Sequence, residues 1–312
     1  DAYNTAVGFS AGTTLTTGIN NTLIGALAGD ALTDADHNVA LGTYALTADT
    51  LGSRSVAIGY AALDTQNFTT ATDSYNTAVG FGAGGGVTTG IHNTFIGGRS
   101  GDGTDDGSYN VAVGQEALSA NCSNENTAVG HAALFVCTAA ENTAVGSGAG
   151  YSLTTATGVA LLGQHAGVFA TTASNSTFIG HDAGKSLEGT PLTGDNNTAV
   201  GKDAGLLLQG AAAQNTIIGC VAGDNVTTGT YNTILGYDAA SSSVLLTTGI
   251  GNTLLGSFAH TGAADDNYAN GIGYDINAAG GYTTVGQGTS DIRAAHGTAT
   301  WAAVSDERYK KD

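Results

Sequence analysis

One phrase, Asn-Thr-[Ala/Leu/Phe/Ile]-[Val/Ile/Leu]-Gly-x-x-Ala-[Gly/Leu], recurs through nearly the whole chain and constrains its fold more than any other feature. Its asparagine and glycine fall at Asn4 and Gly8, Asn21 and Gly25, Asn76 and Gly80, Asn93 and Gly97, and Asn126 and Gly130, and the glycine continues at regular intervals to Gly256. The spacing is about 17 residues, with insertions that stretch it to about 21. A repeat of this length is one turn of a solenoid: a unit too small to bury its own apolar face, stabilised only by its neighbours in the stack. The pattern predicts an all-β chain, a parallel β-solenoid (β-roll) of about 17-residue rungs with no helix. At a rise of about 4.8 Å per rung, about 15 to 17 rungs would make a rod roughly 70–80 Å long.

The columns of the repeat carry physical meaning. The residue before each glycine is Val, Ile or Leu (Val7, Ile24, Leu41, Ile58), and this column is expected to form the core of the roll. The residue before that is Ala, Leu, Phe or Ile (Ala6, Leu23, Phe95, Ile217) and must point to the opposite face of the strand. Two successive apolar columns mean that both faces of the strand are apolar, so something must cover the outer one, and further copies of the chain are the simplest cover. Glycine suits a tight turn or a close backbone approach, and the Asn four residues earlier can bond its own backbone at a corner and stack into a ladder. Ala three residues after the glycine (Ala11, Ala28, Ala45) fits a crowded inner corner. Leu15 or Val87, in the Thr/Gly-rich linkers, is positioned to anchor a second short strand.

Composition agrees with a narrow core. The 312 residues include 49 Gly, one Pro and no Met, and 41% are hydrophobic, mostly with small side chains. A net charge of -18 argues against nucleic-acid partners and anionic membrane surfaces. No apolar run reaches the roughly 18–20 residues of a membrane span, so no membrane insertion is expected. The chain starts at Asp1 without a basic-then-apolar leader, as expected of a mature piece or of a segment of something longer.

Candidate sites are sparse. Cys122, Cys137 and Cys220 lack metal-ligand spacing; Cys122 and Cys137 lie about one repeat apart and read as buried thiols, with pairing across rungs as the alternative. The seven histidines, His131 and His181 among them, are read as surface decoration, and no metal site or cofactor is expected. The stretch Asp102-Gly103-Thr104-Asp105-Asp106-Gly107 has the composition of a calcium loop but lacks a later bidentate Glu, so a solvated turn is expected in place of calcium binding. A glycosidase would need paired carboxylates and aromatic platforms, whereas the acids here fall mainly in linkers and Trp301 stands alone. Thr-Thr pairs drift in phase, against a flat ice-binding array. No enzyme activity is expected.

The motif Asn-Thr-Ala-Val-Gly-x-x-Ala-Gly is similar to the repeat of trimeric autotransporter adhesin heads, which are parallel β-rolls with a shorter period of about 14 residues, and the same kind of repeat occurs in bacteriophage tail fibres. This resemblance implies a parallel homotrimer. From Ala263 the pattern decays, and residues 263–304 read as degenerate repeats, a cap or a transition after the shaft of 1–262. The last eight residues, Ser305-Asp306-Glu307-Arg308-Tyr309-Lys310-Lys311-Asp312, resemble the junction that opens the self-cleaving intramolecular chaperone of tail fibres and tailspikes. That resemblance implies Ser305 as nucleophile and Lys310 as its base, acting once and only in a precursor that carries the chaperone. Together these imply a virion tail-fibre shaft that extends or presents host attachment. The alternative is the head of a trimeric adhesin on the bacterial surface, and in either case loops or a missing tip would meet a host glycan or protein. In a precursor carrying the chaperone, Ser305→Ala and Lys310→Ala should each abolish processing, read as retention of the full-length band; normal cleavage in both would show the tail match to be accidental.

Overall fold

The computed structural model describes residues 2–241, 245–298 and 300–304. It is an all-β parallel solenoid of about 16 turns, with rungs about 17 residues apart and no helix among the described residues. The chain divides into two compact units, residues 1–158 and 159–312.

In the first unit each full repeat contributes a three-residue strand, and these stack in parallel with every motif aligned. Thr5-Ala6-Val7 pairs with Thr22-Leu23-Ile24, which pairs with Val39-Ala40-Leu41, and the same register runs to Thr143–Val145. In the second unit the stack begins at Ala160–Leu162 and keeps its register through Thr253–Leu255 and Asn270–Tyr274 to Tyr282–Gln287. Parallel pairing stops there. Ser290–Ala295 and then Ala302–Val304 add antiparallel, so the repeat decay after Ala263 still contains two strands in solenoid register.

The column assignment is the reverse of the sequence expectation. The middle residue of each strand fills the interior, with Leu23, Ala40, Phe95 and Ile217 all fully buried, while the residue before the glycine points outward: Leu41 is 43% exposed and Leu162 51%. Alternation along a strand sets only that the two columns face opposite ways. With three residues per strand, the flanking positions share one face, so Thr22 and Ile24 lie together outside and Leu23 alone lies inside. β-branched residues suit those outward places on a pleated surface.

No regular second strand forms at Leu15 or Val87. Val87 is buried as a core residue, but the linkers run as successive turns. Short second pairings occur only locally among the described residues, as between Gly52–Ser53 and Thr72–Asp73. Elsewhere the turns stack through single backbone bonds, such as Gly12 N–H to the Ala28 carbonyl at 3.0 Å and Thr16 N–H to the Thr33 carbonyl at 3.0 Å.

The motif glycine is required by contact and by conformation together. At Gly8 φ is +141°, and a Cβ would lie 2.4 Å from the carbonyl oxygen of Gly25 in the next rung. The final motif position, Gly or Leu, is also explained. It adopts the left-handed conformation, with φ +64° at Gly101 and +57° at Leu118, and it is Leu only where the strand's middle residue is Ala. Ala40, Ala57, Ala112 and Ala128 are followed by buried Leu46, Leu63, Leu118 and Leu134, whereas Leu23, Phe95, Leu161 and Phe178 are followed by Gly29, Gly101, Gly167 and Gly184. A Cβ on Gly101 would sit 2.4 Å from the Phe95 ring. These two positions therefore do not both carry a large side chain; where both are small, as at Ala78 and Gly84, the buried Val87 three residues on fills the core, and a left-handed leucine, which is costly by about 1–2 kcal/mol, is tolerated where it supplies core volume.

This compensation can be tested by a swap. Phe95→Ala should cost about 3–5 kcal/mol, and Gly101→Leu alone should also destabilise through overpacking. The double variant, reproducing the Ala112/Leu118 pairing of the next rung, should show a favourable coupling of about 1–3 kcal/mol in urea unfolding; simple additivity would refute the shared-volume account.

Candidate functional site

The repeat asparagines form a buried inter-rung clasp. Asn4 Oδ1 accepts the Asn21 backbone N–H at 2.7 Å, and Asn4 Nδ2 donates to the Gly18 carbonyl at 2.7 Å. These two partners are the ends of a four-residue turn, so the amide of one rung replaces the bond that would close the turn above it. Asn76 does the same for Gly90 and Asn93 (2.7 and 2.8 Å). In the second unit Asn215 does so for Gly229 and Asn232 (2.9 and 3.0 Å). Asn21, Asn76, Asn93 and Asn126 are fully or almost fully buried, and their polar atoms are matched inside the stack. The clasp bonds reach the next rung, and Asn126 and Asn197 also donate to their own backbone two and three residues earlier, as the sequence suggested.

One break in the ladder is repaired by an insertion. Ser55 occupies the asparagine position and cannot span the turn above it; the longer linker that follows supplies Gln66, whose Nε2 donates to Ser55 Oγ at 2.9 Å and to Asp49 Oδ2 at 2.6 Å. Its Oε1 accepts from Asn76 Nδ2 at 2.8 Å. Asp49 also accepts backbone N–H groups from Gly52 and Phe68. Burial raises its pKa above the ordinary 3.8, and these hydrogen bonds oppose the rise only in part. A folded-state pKa above the unfolded one means the native state binds more protons between the two values, so stability falls as pH rises through that window. The wild-type chain should therefore gain stability relative to Asp49→Asn on acidification from pH 7 toward pH 4, measured as paired thermal midpoints; a constant or shrinking difference would contradict this sign.

The cysteines are free: Cys122 and Cys137 are buried and Cys220 is partly exposed. Burial pushes the Cys122 thiol up to about 11, which keeps it protonated and unreactive at neutral pH. Two side chains of the 102–107 segment bond within the stack. Thr104 turns into the core with its hydroxyl 3.1 Å from Cys122 Sγ, and Asp105 accepts from Thr88 of the preceding rung. Ser305 and Lys310 lie outside the described residues.

The surface carries three further arrangements. The outward Val/Ile/Leu column forms an apolar stripe in each unit, with Ile24, Leu41 and Ile96 in the first and Leu162, Leu235 and Leu255 in the second each 37–51% exposed. Exposed aromatic rings stack from rung to rung: Tyr75, His92 and Tyr109 lie face to face at 5.2 and 5.0 Å, and Tyr60 stacks on Phe81 at 5.3 Å. A shallow groove of about 310 Å³ opens among Phe81, Gly98, Arg99, Gln115 and Glu116.

The histidines are not all surface decoration. His260 is buried, with Nδ1 2.9 Å from the Thr261 carbonyl oxygen, and His165 and His181 meet across two rungs beside Asp182. The cue available in the sequence was their shared phase, since His165 and Asp182 each stand two residues after a motif glycine. Among the described residues no helix is long and apolar enough to cross a membrane. Comparison with protein-family models, curated proteins and solved structures gives no match.

Proposed function

We propose that this chain is a structural, non-catalytic segment of a phage tail fibre, assembled as a parallel homotrimer that extends or presents host attachment on the virion. The observation that carries the reading is the apolar stripe. Nearly every rung places a Val, Ile or Leu outward at the same register, next to a strand whose interior side is already filled. Single exposed apolar residues are ordinary, but a contiguous row aligned by strand pairing is the mark of an interaction surface. A parallel partner with the same repeat presents the same row at the same spacing. Association of identical chains along the stripe would bury it with matched periodicity.

The tail-fibre assignment rests on the resemblance of Ser305–Asp312 to the chaperone junction, and the repeat alone is shared with the heads of trimeric bacterial adhesins. Host glycans or proteins would meet the variable linkers or a separate tip, because those positions change from rung to rung while the strand positions do not.

Native mass measurement should give three chains per particle. Replacing Leu41 and Ile96 by Glu, outward positions whose side chains do not fill the core, should shift the particle toward monomer while leaving the circular dichroism spectrum unchanged. A wild-type chain that stays monomeric at micromolar concentration would overturn the reading.

A further inference from the structure

We propose that His165, His181 and Asp182 form a binding site for a divalent first-row transition-metal ion of the zinc kind. The three side chains come from two adjacent rungs at the corner just after the strand. His165 follows Gly163 by two residues, and Asp182 follows Gly180 by two, so strand register places them one above the other. The corner is fixed on both sides by backbone bonds, from Asp182 N–H to the Gln164 carbonyl and from Asp203 N–H to the His181 carbonyl, each 3.0 Å. Both His165 and Asp182 hold the left-handed conformation, with φ of 58° and 57°.

The donor atoms are already close. His165 Nδ1 lies 3.3 Å from Asp182 Oδ1, and His181 Nδ1 lies 3.5 Å from Asp182 Oδ2. One ligand atom from each residue falls within 4.8 Å of the others. Two ligands on a tetrahedral zinc ion at its usual bond lengths of about 2.0–2.1 Å are separated by about 3.3 Å, so little rearrangement is needed to admit an ion. Asp182 Oδ1 is buried and has no hydrogen bond among the described residues. That is the oxygen facing His165.

The other oxygen is occupied by Lys185, whose Nζ donates to Oδ2 at 3.3 Å. This leaves Oδ1 for the metal. Two imidazoles and one carboxylate select zinc, nickel or copper over calcium and magnesium, which favour all-oxygen shells. The two imidazoles are 41% and 47% exposed. An ion can thus enter from solvent and keep a fourth position open to water or an external ligand.

The experiment is calorimetric titration of Zn²⁺ into the tag-free, chelator-treated full chain, paired with the visible absorption of Co²⁺ as a geometric readout. One saturable site per chain is expected, with Co²⁺ bands of tetrahedral intensity. Asp182→Asn should weaken binding at least about tenfold, and the combined His165→Gln and His181→Gln variant should abolish it. His131→Gln should bind as wild type. Lys185→Gln, which keeps all three ligands and removes a competing cation, should bind at least as tightly. No saturable uptake by the wild-type chain, or uptake undiminished in the Asp182 and double-histidine variants with unchanged circular dichroism, would overturn the proposal.

Discussion

Everything in this molecule depends on how closely one rung sits on the next at the motif glycine. The Gly25 carbonyl oxygen occupies the space a Cβ on Gly8 would need, 2.4 Å away, so the backbones touch with nothing between them. That contact aligns each strand with its neighbour residue for residue and brings each asparagine under the turn above it. Two hydrogen bonds from one amide, as at Asn76, then close a turn that lacks its own closing bond. Because the amide is buried, losing it would leave two backbone groups unsatisfied. The clasp is consequently a condition of stacking as well as a consequence of it.

A stack this tight leaves no room for large side chains at both the strand's middle position and the last motif position. That mutual exclusion follows from close packing. Phe95 beside Gly101 and Ala112 beside Leu118 are two ways to fill the same volume. The side chains that do not fit inside line the outside in equally regular rows, which is why the apolar stripe, the stacked aromatics and the His165–Asp182 pair all share the strand register. Surface chemistry here is organised by the core.

Much of the fold was legible because repetition multiplies a weak local signal. A single Asn-Thr-Ala-Val-Gly means little; its recurrence at one spacing implies stacking, parallel strands and a ladder of identical residues. Other parts were hidden for identifiable reasons. The inner and outer columns were exchanged because both are apolar and alternation does not say which side the chain encloses. The Gln66 repair was invisible because it lies in an insertion, out of phase with the asparagines it serves. His260 was misread as a surface residue because its burial depends on the pairing of His260–Thr261 with Asn277–Ala278 late in the chain. Ser305 and Lys310 were nominated by resemblance and lie beyond the described residues.

The sequence by itself determined the rung: its length, its parallel stacking, its need for glycine at one corner and its two apolar columns. All of these follow from periodicity and from the stereochemistry of residue types. Only the tertiary structure decided which column is core, where each asparagine amide bonds, how neighbouring positions share volume, and which histidines meet an aspartate. Several of those relations join residues about 17 positions apart, and all depend on which way the chain closes after a three-residue strand. The outward Val, Ile and Leu side chains could be counted from the sequence, but their exposure follows from that closure.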